Sequence, residues 1–200
     1  MPTGEGATRA LHVLGLAGSP RRHGNTDALL ERALAGAREA GATTALLVLS
    51  ELNIRACTGC AHCSEHGECR IQDDDMPQVY EALDRAERIV LASPIQFGTV
   101  SSDAKLMIDR CQRYWARKYV LKLPPVARGR RGLFLSVGGY PKGERFFECA
   151  ALCARVWFAT LGVKLAATLF RPAIDERAAI QRHPDLLEEA YRLGRALVEG

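Results

Sequence analysis

Five apolar runs of strand length alternate along this chain with segments whose apolar residues recur at helical spacing. The runs cover residues 11–18, 43–50, 88–94, 132–139 and 164–172. Helices are predicted over 25–41, 75–87, 101–116, 144–162 and 184–200. This alternation predicts an α/β fold, a doubly wound parallel sheet of five buried strands. Ligands of such sheets bind beyond the carboxyl ends of the strands, so the loops there are the first places to look for a site.

The composition narrows the class of function. The chain has 200 residues, 48% of them hydrophobic, and a formal net charge of +4. That length can bury a full core, and that charge gives no general attraction to nucleic acid or to membranes. The first residues show no signal peptide, and no apolar stretch approaches the ~20 residues that span a bilayer. We therefore expect a cytoplasmic protein with reduced thiols, with neither nucleic acid nor a membrane as partner.

The loop after the first strand, GSPRRHGNT at residues 18–26, contains neither a dinucleotide fingerprint nor a Walker A sequence. It places hydroxyl, amide and guanidinium groups beside a helix N-terminus, where free backbone N–H groups and the helix dipole favour an anion. These side chains are Ser19, Arg21, Asn25 and Thr26. They suit a terminal monophosphate better than a bridging pyrophosphate. The alternative is an ordinary loop in which Asn25 or Thr26 only caps the helix.

Two further segments follow the third and fourth strands, SPIQFGTVSSDAKLMIDR (93–110) and VGGYPKGER (137–145). Together with GSPRRHGNT they resemble, in chain order, the strand-end loops of the flavodoxin-like NADPH-dependent FMN reductases. The family's phosphate loop commonly has the sequence G-S-P-R-x-x-G-N-T. The resemblance implies a flavodoxin-like fold with strand order 2-1-3-4-5, in one FMN-binding domain covering residues 1–200.

The resemblance also implies roles for the matching residues. The FMN phosphate would be held by Ser19, Arg21, Asn25 and Thr26. The isoalloxazine and ribityl groups would lie along Pro94, Ile95, Phe97 and Gly98. Gly138 and Gly139 would let the backbone approach the flavin closely. Gln96 stands where the family usually has an aromatic residue, so hydrogen bonds from an amide would replace stacking near the flavin edge. Tyr140 is either a second aromatic residue near the ring or a surface loop residue.

Four of the seven cysteines lie within one short stretch, CTGCAHCSEHGEC, in an expected insertion at 55–74 after the second strand. They are Cys57, Cys60, Cys63 and Cys69, with the spacing C-x2-C-x2-C-x5-C. Structural zinc sites usually combine two C-x2-C knuckles across a longer spacer, whereas successive x2 spacings resemble the loop that wraps a ferredoxin cluster. A reducing compartment and an odd cysteine count disfavour disulfides. The spacing favours a cluster and leaves zinc or a vestigial loop open.

The ending of this stretch, GECRIQDDDM at 67–76, adds a second resemblance. With all four cysteines present, the segment is similar to the compact motif of the iron–sulfur flavoproteins, which hold one [4Fe-4S] cluster and one FMN. The resemblance implies that the four cysteines ligate such a cluster. His62 and His66 are expected to be solvent-facing loop residues because four thiolates already complete the ligand set.

This pair of cofactors predicts a redox flavoprotein that converts between one-electron and two-electron chemistry. The electron donor would be NAD(P)H or a ferredoxin-like protein, and the acceptor a small molecule. The resemblance implies a homodimer or homotetramer in which a cluster faces a neighbour's FMN. No side chain stands out as a catalytic acid or base. The alternatives are an NAD(P)H-dependent FMN or quinone reductase whose cysteine loop is structural, free of a cluster or zinc-bearing, and a flavin-binding regulatory protein with a zinc scaffold.

Two features remain outside this scheme. The other cysteines, Cys111, Cys149 and Cys153, are expected to be buried as small apolar residues. The segment 113–131 contains lysines and arginines but no acidic residue. It is either a solvated, partly helical excursion or a docking patch for an acidic electron carrier or the 2′-phosphate of NADPH.

Overall fold

Five parallel β-strands form the centre of the protein, seen here in a computed structural model that describes residues 9–142 and 144–200. The strands are β1 (His12–Ala17), β2 (Thr43–Val48), β3 (Arg88–Ala92), β4 (Arg131–Val137) and β5 (Lys164–Arg171). They are ordered β2-β1-β3-β4-β5, and every neighbouring pair is parallel. The predicted α/β class, strand order and doubly wound flavodoxin-like sheet are confirmed.

Seven helices connect and cover the strands in the described residues. They are α1 (Asn25–Glu39), α2 (His62–His66), α3 (Met76–Arg85), α4 (Ser102–Arg110), α5 (Gln112–Trp115), α6 (Glu144–Thr160) and α7 (Pro184–Glu199). Short 3₁₀ turns occupy Leu49–Glu51 and Ala179–Arg182, and a π-helical turn occupies Ala116–Val120. None of these helices combines the length and apolarity needed to cross a bilayer.

Side chains of each central strand alternate between two cores, one on each face of the sheet. In β1, Leu14 and Leu16 point to the core that contains α3, α4 and α6, whereas Val13 and Ala17 point to the core of α1 and α7. The sheet is therefore buried between two helical layers, as its continuous apolar runs require.

Helices α1 and α7 pack backbone to backbone, because glycine lies at their contact. A Cβ on Gly36 would overlap the carbonyl oxygen of Tyr191, and a Cβ on Gly194 would overlap that of Ala33. The approach of these two helices brings the segment after β5 against the start of α1, where it forms part of the site described below.

The structure differs from the sequence prediction in three places. The helix expected over 101–116 breaks at Cys111 and continues as α5 and the π-helical turn to Val120. The insertion at 55–74 is not all loop, because α2 lies within it. Strands β2 and β5 are only partly buried, since each is an edge strand covered less completely than the centre.

Two predictions concern residues outside the described part of the chain. The expected absence of a signal peptide rests partly on residues 1–8, and the family-like segment 137–145 includes Gly143. The single domain over 1–200 stays a prediction.

Candidate functional site

The loop from β1 to α1 forms a polar pocket at the carboxyl edge of the sheet. Helix α1 begins after Gly24, and no side chain in the described part of the chain caps it. Its first N–H groups therefore face the pocket without a side-chain acceptor, which is the arrangement that binds anions at helix N-termini. Ser19 and Thr26 are buried beside them, and the Ser19 hydroxyl accepts a 3.1 Å hydrogen bond from the Arg21 N–H.

Asn25 lies at the edge of this pocket, but its amide bonds to the protein. Its Nδ2 donates to the Glu176 carbonyl at 2.9 Å, and its Oδ1 accepts from the Ile180 N–H at 3.0 Å. These bonds join the start of α1 to the 3₁₀ turn Ala179–Arg182. The amide therefore shapes the pocket, and its predicted contact with a phosphate stays a prediction.

The segment after β5 supplies pocket residues that the sequence analysis did not identify. Arg177 and Asp175 line the pocket with Arg21. Arg177 Nη2 donates to the Arg22 carbonyl at 3.0 Å, and Arg21 Nη1 donates to the Asp175 carbonyl at 3.2 Å. The available signal was the sequence RPAIDER at 171–177, which places charged residues directly after a strand.

Asp27 in the first turn of α1 is a buried carboxylate just behind the pocket. Burial raises its pKa, and this effect outweighs the 2.9 Å hydrogen bond from the His23 N–H and the attraction of Arg22 at 3.6 Å. These contacts direct the carboxylate toward the preceding loop, where it holds residues 22–24 in place.

The segment after β3 forms a tight turn at the mouth of the pocket. Gln96 and Thr99 exchange backbone hydrogen bonds of 2.9 and 3.0 Å. Between them, Phe97 and Gly98 have left-handed backbone angles, φ 47° and 77°. This conformation is uncommon for a residue with a side chain. The Phe97 ring is fully exposed, so the turn presents an aromatic side chain beyond the protein surface beside the pocket.

The segment after β4 lines the side of the pocket opposite the turn at Phe97 and Gly98. Gly139 passes so close to Asp175 that an added Cβ would lie 2.9 Å from the Asp175 Cβ. Tyr140 is exposed, and its ring meets the ring of Phe146 edge-on at 5.5 Å. Both aromatic residues line an apolar recess beside the polar pocket, together with Ile95, Phe97, Gly98, Gly138, Gly139 and Phe170.

The structure thus brings all twelve predicted cofactor-binding residues to one place. The polar pocket, about 170 Å³, is lined by Ser19, Arg21, Asn25, Thr26, Pro94, Ile95, Gln96, Gly138 and Gly139. The remaining three, Phe97, Gly98 and Tyr140, line the apolar recess. Both cavities share Ile95, Gly138 and Gly139, so they lie side by side along the same residues. A polar end for an anion and an apolar end for a planar ring fit the two parts of FMN.

The four predicted metal ligands also line a single cavity, of about 410 Å³. Cys57 and Cys60 are exposed, Cys63 and Cys69 are half-buried, and all seven cysteines of the chain are free thiols. Left-handed backbone at Gly59, Ala61 and Gly67 produces the sharp bends that let the segment wrap the cavity. In the described residues, no three His, Cys, Asp or Glu side chains are grouped tightly enough to hold a single metal ion.

Charge around this cysteine cavity favours an anionic group. The charged residues that line it are Arg70, Asp109, Arg110 and Arg113. The one carboxylate among them is paired with Lys105 at 2.8 Å. Hydrogen bonding to the His62 N–H and the Thr58 side chain lowers the pKa of Cys60, whereas burial raises that of Cys63. Four thiolates in a cation-lined cavity are a suitable donor set for an iron–sulfur cluster.

Arg110 anchors both ends of the cysteine segment. Its guanidinium donates to the Arg55 carbonyl at 2.9 Å and to the Ile71 carbonyl at 3.0 Å, and it forms a fully buried ion pair with Asp74. Burial alone would raise the pKa of Asp74, but hydrogen bonds from Arg110 and from the N–H groups of Arg55 and Met76 hold it below its ordinary value. The entry and exit of the loop are thereby fixed to α4.

His62 and His66 lie in α2 rather than in irregular loop. Their rings stack at 4.1 Å, and His66 Nδ1 lies 3.2 Å from the His62 carbonyl oxygen. His66 is exposed, as expected, whereas His62 is half-buried. Neither residue lines the cysteine cavity.

One of the three remaining cysteines fully matches its expected burial. Cys111 is buried, and burial raises its pKa to about 12. Cys153 is half-buried and Cys149 is exposed, so the prediction for Cys149 is wrong. Both lie on a face of α6 that also exposes Leu152 and Val156. Apolar residues on that helix do not all point to the core.

The basic segment 113–131 is not one solvated patch. Arg113 and Arg130 are buried. Arg130 donates to the carbonyls of Leu83, Ala86 and Leu161 at the ends of α3 and α6. Lys118 Nζ donates to the Ala159 carbonyl at 2.6 Å. Several of these cations therefore stabilise the fold by donating hydrogen bonds to backbone carbonyls. The pattern of basic residues in the sequence does not indicate this role.

Comparison with known proteins places the chain in a family. Residues 11–149 match a family described as NADPH-dependent FMN reductase. An iron–sulfur flavoprotein of Methanocaldococcus jannaschii is 38% identical over 100 residues, covering 50% of this chain and 51% of that protein. One from Archaeoglobus fulgidus is 38% identical over 127 residues, covering 64% and 62%. One from Methanosarcina thermophila is 31% identical over 133 residues, covering 66% of each. The chain therefore matches between about half and two thirds of the length of these relatives.

Solved structures agree in fold. A flavone reductase superposes with a TM-score of 0.72 at 21% identity, covering 94% of this chain and 62% of the other. An azoreductase from Bacillus anthracis superposes with a TM-score of 0.69 at 17% identity, covering 93% and 99%.

Proposed function

The chain belongs to the family of NADPH-dependent FMN reductases, and on this premise we propose that it is an FMN-dependent oxidoreductase that also carries a [4Fe-4S] cluster. The observation that carries the proposal is the clustering of predicted ligands around two sites. Twelve residues from three strand-end loops line two adjoining cavities, one polar and one apolar, and four cysteines line a separate one. Relatives that match up to two thirds of the chain are named iron–sulfur flavoproteins.

In the proposed complex, the phosphate of FMN binds at the start of α1. The uncapped N–H groups, the Ser19 and Thr26 hydroxyls and the guanidinium of Arg21 provide donors there. Arg177 adds a second cation to the same pocket. Ile95, Gly138 and Gly139 would line the place of the isoalloxazine, and Gln96 would supply a hydrogen-bonding group at its edge.

Flavin exchanges electrons singly or in pairs, and an iron–sulfur cluster exchanges one at a time, so the two together connect a two-electron reactant with a one-electron partner. We propose NAD(P)H or a ferredoxin-like protein as donor and a small molecule as acceptor. The protein's own part is to hold the cofactors and to shield the flavin edge. No acid or base among its side chains is assigned a catalytic step.

We further propose that the protein acts as a homodimer or homotetramer. Large apolar side chains beside the flavin site and along α6 are exposed in the single chain, which supports association of copies. They are Phe97, Tyr140, Phe146, Leu152 and Val156.

Seven free thiols suit a reducing compartment, in accord with the cytoplasmic location that we propose.

The flavin site is tested by comparing FMN with riboflavin, which lacks the phosphate. Thr26→Val removes a buried hydroxyl at the phosphate pocket, so we expect it to weaken FMN binding about tenfold, as loss of a hydrogen bond to a charged group does. Riboflavin binding should not change. Thr160→Val, at a threonine of α6 that lines neither part of the flavin site, is the control. Equal losses for FMN and riboflavin, or none for FMN, would count against the phosphate assignment.

A further inference from the structure

Two buried arginines at the cysteine cavity each leave one N–H group without a partner. The Nε atoms of Arg110 and Arg113 have no hydrogen-bond acceptor among the described residues. Arg110 is 1% exposed and Arg113 is 8% exposed, and both line the cavity together with the four cysteines. An unsatisfied buried donor destabilises a folded protein, more strongly when it is charged, and such groups in native proteins call for an acceptor.

The other contacts of these guanidinium groups hold them in position. The terminal nitrogens of Arg110 are fully used by Asp74 and by the carbonyls of Arg55 and Ile71. Arg113 lies over the ring of Tyr80 at 4.3 Å and over that of Tyr114 at 5.2 Å. Neither arginine is therefore a mobile surface cation that could satisfy its Nε group by moving into water.

Two carboxylates near Arg113 form ion pairs with it, at distances that compensate its positive charge only in part. Its Nη1 lies 3.4 Å from Glu68, which is itself half exposed, and its Nη2 lies 3.7 Å from Asp84. Arg70 adds a further cation to the wall of the cavity. The cavity thus keeps positive charge near the sulfur ligands.

From these observations we infer that Arg110 and Arg113 donate Nε–H···S hydrogen bonds to the iron–sulfur cluster or its cysteine ligands and thereby raise its reduction potential. The inference rests on the proposed function. A [4Fe-4S]²⁺ core with four thiolates carries two negative charges, and reduction by one electron from the donor makes this three. Fixed cations and N–H donors stabilise the more negative form more strongly, which favours reduction.

The test is an anaerobic redox titration followed by EPR, with iron and sulfide measured in every sample. Arg113→Met removes both the charge and the donor, and we expect the reduced form to be disfavoured about tenfold, a shift of 59 mV to more negative potential. Arg113→Lys keeps the charge without the Nε donor and should shift the potential in the same direction by less. Arg110→Lys provides the same comparison at the second position.

Arg117→Met is the matched control. Arg117 shares the Glu68 carboxylate at 3.5 Å but does not line the cysteine cavity, so its removal should leave the potential unchanged. A full complement of iron with unchanged potential in both Arg113 variants would overturn the inference while the proposed function stands. Wild-type protein that holds no iron or sulfide after anaerobic reconstitution would overturn the proposed function and the inference together.

Discussion

The buried ion pair between Arg110 and Asp74 gives a quantitative test of how the cysteine segment is anchored. Both side chains are 0% exposed. Asp74→Ala removes the partner and leaves a buried guanidinium that keeps only its bonds to the Arg55 and Ile71 carbonyls. Breaking a buried pair from one side costs about 3–5 kcal/mol, and the two remaining bonds place this variant near about 3 kcal/mol.

The assay is urea unfolding followed by circular dichroism, on cluster-free protein saturated with FMN. With a slope of about 2 kcal/mol/M, a loss of about 3 kcal/mol lowers the midpoint by roughly 1.5 M. The neighbouring Asp73 is the control because its side chain is 79% exposed and, among the described residues, forms an ion pair with Arg55 alone. Asp73→Ala should change stability by less than about 0.5 kcal/mol. Equal midpoints for the two variants would refute the anchoring argument.

The same pair predicts a direction of pH dependence. The pKa of Asp74 in the folded protein lies below its ordinary value, so the unfolded chain binds the proton more readily. The stabilisation is then complete above the unfolded pKa of about 3.9 and is lost as the pH falls through the lower folded value. The stability difference between wild type and Asp74→Asn should be constant at neutral pH and shrink below about pH 4. A difference that grows on acidification would contradict the sign.

Further predictions concern packing and the cysteine ligands. Gly194→Ala places a methyl group against the Ala33 carbonyl and should destabilise the protein by about 1–3 kcal/mol or more in a thermal melt. Gly41 lies at a helix end with open space around it but has a left-handed backbone. Gly41→Ala should therefore destabilise the protein by about 1 kcal/mol. Arg130→Met leaves three buried carbonyls without their donor and should lower the melting temperature more than Arg128→Met, an exposed site. Cys60→Ser should lose the cluster and keep FMN; a full iron content in that variant would speak against Cys60 as a ligand.

Local patterns were sufficient to predict a parallel sheet of five strands, and the family resemblance added the strand order and the three loops that line the polar pocket and the apolar recess. A continuous apolar run of strand length predicts a strand that is buried on both faces of the sheet, and each of the three loops comes directly after such a strand. What the sequence did not show depends on contacts between distant segments. The end of β5 lies beside β4 in the parallel sheet, and α7, which follows, packs on α1. The segment between β5 and α7 therefore lies near the loop after β1, where Arg177 donates a hydrogen bond to the Arg22 carbonyl. No local feature of the sequence RPAIDER indicates that it lies beside the loop after β1.

The same limit explains why the exposure of Cys149 and the burial of Arg113 do not follow from the sequence. Cys149 shares helical spacing with apolar neighbours, but which face of α6 is covered depends on what packs there. Arg113 belongs by sequence to a basic run, yet in the fold it is buried and lines the cysteine cavity. Only the folded arrangement distinguishes a buried cation from a solvated one.

The central claim, one flavin site and one cluster site in a single chain, is tested most directly by composition. Protein purified without oxygen should contain one FMN per chain, with iron and acid-labile sulfide at about four each. Reduction should then give an EPR signal from the cluster. One zinc per chain, with neither iron nor sulfide, would contradict the account.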